Sequence, residues 1–185
     1  LGKPRPIHVL HRGNESSPGE RAWPRAIQSI SSIAGLEPRL GPERENYDEG
    51  VARAKLAEWI VDRRNPLAWR SIVNRVWLYH FGRGIVDSPS DFGRMGSLPT
   101  HPELLDWLAV EFRDGGEAIP TPQSIKQLTR LIVTSNVYRQ SSRTNEAHEK
   151  IDGGNQYLWR MNRARLEAEA IRDSALAVAG ALDTT

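Results

Sequence analysis

Residues 74–107 read NRVWLYHFGRGIVDSPSDFGRMGSLPTHPELLDW, and the fold turns on how this stretch divides. Trp69, Val73, Val76, Trp77 and His80 recur at three- and four-residue steps, which predicts a helix with one face in a core. Gly82 stops that helix. The next regular pattern begins near Thr100 and Glu103, which have capping-box spacing, with Pro102 in the first turn. Leu104, Leu105, Leu108 and Phe112 supply its buried face and Gly115-Gly116 ends it. Trp107 is expected in one core with Trp69 and Trp77. Between the two helices lies a loop with Gly82, Gly84, Gly93 and Gly96. Loops of this length in compact domains are usually functional or disordered. Ile85, Val86 and Phe92 provide apolar anchors, so this one is expected to be ordered and packed on the helices.

On the N-terminal side, Val51, Leu56, Trp59, Ile60 and Val61 predict a helix from about residue 49 to Arg63-Arg64. Asn65-Pro66 then restarts the chain, because Asn is a favoured N-cap and Pro suits the first helical position. On the C-terminal side, Thr121-Pro122 opens another helix with Ile125, Leu128 and Ile132 inward, ended or bent at Ser135-Asn136. Residues 141–155 are polar and read as a surface loop. A last helix is predicted near 163–179, carrying Leu166, Ala170, Ile171, Ala175 and Val178, with Gly180 after it. Residues 1–48 form an extended arm or short strand (Ile7–Leu10) followed by loop, with turn signals at Gly13-Asn14 and Pro18-Gly19. Gly35, Pro38, Gly41 and Pro42 break any period there, so the stretch 28–47 has no core of its own. The expected fold is mainly α: a compact bundle of about five helices over residues 49–185, one long ordered Gly/Arg/Asp loop and an N-terminal extended arm.

The composition narrows the function classes. The 185 residues contain no run of 18 apolar residues, so no membrane span is expected. The start, LGKPRPIHVL, has neither an initiator Met nor a long apolar segment, and the chain is expected to be part of a longer one. Cysteine is absent, which excludes disulfides, a thiol nucleophile and C-x-x-C-H haem attachment within this chain. A net charge of +2, with tryptophans on apolar helical stripes, argues against nucleic acid as a partner.

Of the 25 basic residues, only Lys3, Lys55, Lys126 and Lys150 are lysines; the rest are arginines. Arginine forms planar bidentate bonds to carboxylates and oxyanions. Two readings follow for Arg75, Arg83, Asp91, Arg94, His101, Arg139, Arg160 and Arg165. Several arginines, with Arg163 beside Arg160 and Arg165, could converge on an anion such as sulfate, phosphate or a uronate. Alternatively Arg75 and Arg165 pair with Asp91, Asp106 or Glu169 and pin the loop to the helices, Arg75–Asp91 being the first choice. His80, His101 and Asp91 could also converge as a His/carboxylate metal site, against a core role for His80 and a loop-bonding role for His101. His8 and His11 are three apart on an extended segment, where they face opposite ways and would not chelate one ion. Asp91-Phe92-Gly93 matches a kinase triplet without the Gly-rich loop, the lysine or the catalytic loop of a kinase. Ser88, Ser90 and Ser97 lack a nucleophile elbow.

Five blocks in order carry a family resemblance: NRVWLYHFGRGIV, DFGRMG, THPELLDWLA, RLIVTSNVYRQSS and LWRMNRARLEAEAIRD. They resemble a planctomycete-specific domain of unknown function, found toward the C-terminus of large secreted planctomycete and verrucomicrobial proteins. The likeness runs from about residue 49 to 183, and weakly over VLHRGNESSPGE in the arm. RAWPRAI stands where the family's arm continues with Pro-Gly-x-Pro, and the family domain extends past the last helix. The resemblance implies an extracytoplasmic location and a parent protein with a cytochrome-c-like domain. Haem c is therefore expected only in a neighbouring domain, with no cofactor in this chain, and no catalytic residues are implied. The leading expectation is a non-catalytic accessory or binding module whose partners are other domains of its parent, with polysaccharide or another anion as a further candidate. The alternatives are an enzyme domain acting on anionic or sulfated polysaccharide through the 82–101 loop, and a purely structural scaffold.

Overall fold

A computed structural model describes residues 5–42 and 47–183. The expected arm and 49–185 domain therefore each fall partly outside the described residues, at positions 1–4, 43–46 and 184–185. The chain is mainly helical. A two-stranded antiparallel sheet, β1 (Ile7–Leu10) and β2 (Pro18–Ala22), precedes α1 (Gln28–Ala34), α2 (Glu49–Val61), α3 (Pro66–Phe81), α4 (Pro102–Asp114) and α5 (Ile125–Thr134). Then come α6 (Asn136–Arg139), α7 (Glu146–Ile151) and α8 (Ala168–Val178). The five expected helices are α2, α3, α4, α5 and α8; the short α1, α6 and α7 join them.

The main core is built by α3, α4 and α5 with the start of the loop. Trp69, Val73, Trp77 and Phe81 of α3 pack with Leu105, Leu108, Ala109 and Phe112 of α4, Leu128 and Ile132 of α5, and Ile85, Val86 and Ile119 from connections. Trp77 stacks on Phe81 at 4.2 Å between ring centres, and Tyr138 of α6 meets Phe81 edge-on at 5.6 Å. Such aromatic pairs add a modest increment to a large burial term. Trp107 is a correction: it is 45% exposed, because on α4 it lies between the inward positions 105 and 108.

Local chemistry sets several helix ends as expected. Asn65 caps α3, its Oδ1 accepting from the Leu67 amide at 3.1 Å, with Pro66 in the first turn. Gly82, at φ +75°, closes α3 in the left-handed conformation that glycine adopts freely. Two start signals are overridden. The Thr100 hydroxyl turns back to the Ile85 carbonyl at 3.3 Å, so α4 starts after His101 without a side-chain cap. The N-cap of α5 is Ser124 rather than Thr121, and Ile125, in its first turn, is exposed. Ser135 both ends α5 and caps α6, so the bend expected there is present.

A second, smaller core seats the arm on α2, consistent with a stretch that has no core of its own. Leu36 and Leu40 pack with Trp59 of α2, whose indole N–H donates to the buried Ser31 hydroxyl at 3.0 Å. The face of α2 turned inward is thus Ala52 and Trp59, while Val51, Leu56, Ile60 and Val61 are exposed. Pro18-Gly19, expected to be loop, begins β2 because β1 supplies its hydrogen-bonding partners. The polar 141–155 stretch is exposed for most of its length and contains α7. The last helix begins at Ala168, not near 163. Residues 160–162 spend their polar groups elsewhere: the Met161 amide donates to Ser141 and Asn162 Nδ2 to the Phe81 carbonyl. Among the described residues of α8 none is buried.

The two cores meet at the α2–α3 joint. Asp62 accepts from the Arg64 amide and guanidinium, and Arg64 reaches on to the Gly35 carbonyl that ends α1. These bonds to Arg64 hold the Asp62 carboxyl down at about 2, from an ordinary 3.8. Arg63 pairs with Asp114 at the end of α4 at 2.8 Å, and Arg113 donates to the Arg63 carbonyl. The Asp114 carboxyl is likewise lowered, first by its hydrogen bond from Arg113 and further by the charges of Arg113 and Arg63.

Candidate functional site

The 82–101 loop is ordered by a residue that the sequence reading passed over. Asn74 lies on the inner side of α3 with no exposed surface. Its Oδ1 accepts from the Val86 amide at 2.8 Å and its Nδ2 donates to the Val86 carbonyl at 3.0 Å. One side chain thereby satisfies both backbone groups of a buried loop residue, which would otherwise be costly to bury. Gly84 makes this approach possible: a Cβ there would stand 2.5 Å from the Val86 oxygen and 2.8 Å from Asn74 Nδ2. An Asn in the middle of an apolar stripe was the available signal. A buried amide at such a position needs a partner, but its identity is not written nearby.

The expected anchor Arg75–Asp91 does not form. Asp91 Oδ1 accepts from the Gly93 amide at 2.8 Å, an intra-loop turn bond, while Arg75 is exposed and reaches only the Pro89 carbonyl at 3.5 Å. The geometric reason is direction: position 74 faces the loop's entry, and position 75 on the helix turns outward. The partner of Asp106 is Arg70, not Arg165. Arg83 pairs with Asp87 at 2.9 Å, and the Ser88 hydroxyl donates to the Asp91 carbonyl and accepts from the Ser97 amide. Arg94 is exposed on the loop, and Arg139 is exposed with its guanidinium on Asn136.

The metal candidates stay apart. His80 Nδ1 meets the Val76 carbonyl at 2.7 Å on its own helix, and His101 Nδ1 meets the Thr100 hydroxyl at 2.8 Å, its ring edge-on to Tyr157. Among the described residues no three His, Asp or Glu side chains are grouped to hold a metal ion.

The arginines of the third cluster divide. Arg165 is exposed, whereas Arg160 and Arg163 line a pocket of about 380 Å³ with Phe81, Gly82, Thr144 and Asn162. Its wall is a hydrogen-bonded loop, residues 152–163. The Asp152 carboxylate caps the Gln156 and Tyr157 amides, and buried Asn155 clasps the backbone of Arg160 through its own amide group. Asn155 Nδ2 also donates to Asn162 Oδ1, and Asn162 in turn holds the end of α3 through the Phe81 carbonyl. Gln140 ties the same loop to the end of α6 by donating to the Leu158 carbonyl. Asn155 adopts φ +50°, a left-handed conformation that Asn tolerates better than most residues. Arg160 is thus placed by its backbone, and its guanidinium lies 5.2 Å from the Trp159 ring.

These features lie within residues 52–185, the stretch that matches a recognised sequence family. The chain belongs to PSD1, the proteins of unknown function DUF1553, which it matches over residues 52–185. No curated protein and no solved structure matches it.

Proposed function

We propose that this chain is a non-catalytic accessory and binding module of a larger extracytoplasmic, cytochrome-c-associated protein, seated against other domains of that protein. The observation that carries the reading is α8. Ile171 and Val178 lie on a regular helix, yet Ile171 is half exposed and Val178 is 92% exposed; Leu166, just before it, is also exposed. Stability in helices comes mainly from burying an apolar face, and a short helix that buries none is marginal in water. A neighbouring domain would supply the missing surface. With no cysteine here, a covalently attached haem would belong to that neighbour.

An enzyme acting on anionic or sulfated polysaccharide through the 82–101 loop draws less support. Arg83, Ser88, Asp91 and His101 are each engaged within the loop or with its immediate neighbours, which is scaffolding work. Hydrogen exchange tests the proposal directly. Amides of α8 should exchange rapidly in this chain alone and become protected when it is part of its parent protein. Equal exchange in both would overturn the docking.

A further inference from the structure

The pocket beside the end of α3 has a polarity that the docking proposal does not use. Arg160 and Arg163 line it, and no carboxylate does. Arg163 uses its Nε on the Ser142 carbonyl at 3.2 Å. Arg160 Nε is buried without an acceptor, and its guanidinium has a ring contact with Trp159 but, among the described residues, no anionic partner. Two guanidinium side chains on a pocket lined by no acidic residue mark a place for an anionic acceptor. The carbonyl end of α3 offers part of a counter-charge. A helix terminus is worth about half an elementary charge, however, and two guanidiniums carry about two. The surplus is positive.

We propose that this pocket is an oxyanion site, in which Arg160 and Arg163 receive a carboxylate, sulfate or phosphate group carried by a small organic ligand. The fork of a guanidinium matches such groups in plane and spacing. Size points to an organic carrier rather than a bare ion, because about 380 Å³ falls within the range of small-molecule pockets. Thr144 and Asn162 line the same pocket and bring a hydroxyl and an amide to meet neutral polar groups of the ligand. The rigidity of the 152–163 loop means the site is formed before the ligand arrives, so little ordering entropy is lost on binding.

The site is tested on the full chain by thermal melts and Trp fluorescence, with gluconate, glucose 6-phosphate, sulfate and phosphate as probes against chloride at matched ionic strength. An organic oxyanion should saturate and raise the melting temperature, more tightly than sulfate or phosphate, while chloride does neither. Arg163→Gln should weaken binding about tenfold, as expected for one lost charge-assisted contact of about 1.4 kcal/mol. Arg160→Lys, which keeps the charge and loses the fork, should also weaken it. The proposal is overturned if no probe saturates, if sulfate and phosphate bind as tightly as the organic probes, or if a folded Arg163→Gln variant binds unchanged.

Discussion

The 82–101 loop and α8 invert the usual association of regular structure with solidity. The loop has no helix or strand of its own, yet Ile85 and Val86 are almost wholly buried and Asn74 satisfies the backbone of Val86. The helix α8 pairs its interior backbone groups along itself and buries no described side chain. Backbone satisfaction can come from any donor or acceptor within reach, whether along a helix or from an amide side chain. Burial requires a second surface. Regular backbone hydrogen bonding and burial are therefore separate properties of a segment.

The largest effect is expected at the core to which the loop is tied. Trp77→Ala should cost about 3–5 kcal/mol by urea denaturation. Trp107→Ala, removing a half-exposed ring, should cost less than half as much; equal losses would mean the inward face of α4 is wrongly placed. Next comes the clamp. Asn74→Ala strands the amide and carbonyl of Val86, at roughly 1–3 kcal/mol for each buried group left unpaired. The same variant should speed amide exchange at Val86 and Thr100, and exchange unchanged at both would show that the loop is held by other means. By contrast, Ile171→Ser and Val178→Ser on α8 should each shift stability of this chain by no more than about 0.5 kcal/mol, the usual scale for exposed positions. A larger loss in the isolated chain would show that α8 is packed.

The smallest effect concerns acid and the α2–α3 joint, which lies outside both regions. The folded Asp62 carboxyl sits at about 2 rather than 3.8, so its bonds to Arg64 contribute fully above about pH 3.8. That contribution fades as pH falls toward 2, since protonation removes the acceptor charge. The pair is partly solvated, so the step in stability is small and the titration itself is the better readout. A carboxyl-carbon NMR midpoint near 3.8 would refute the joint as described.

Much of the helical frame was legible because it rests on short-range chemistry. Asn65-Pro66, Gly82, Gly115 and Ser135 mark ends through caps and allowed dihedral angles, all settled within a few residues. The inward positions Trp69, Val73, Trp77, Leu105, Leu108, Leu128 and Ile132 follow from periodicity. The candidate site was legible only in part. Arg160 and Arg163 stood out in sequence as part of an arginine cluster with Arg165, but the pocket they line needs Phe81 and Gly82, some eighty residues earlier.

Where elements had to choose between partners, tertiary structure decided. Thr100 had a helix to cap and bonded Ile85 instead; the last helix, expected from near 163, begins at Ala168, after residues 160–162 have bonded Ser141, Asn155 and Phe81. Asp91 went the other way, taking the Gly93 amide two residues on in place of the distant Arg75. In each case the local signal and the long-range partner are of similar strength, about one hydrogen bond. The outcome is then set by which groups the packed core brings within 3 Å. Local chemistry specified where the helices run; only the folded chain specified what their ends and loops hold.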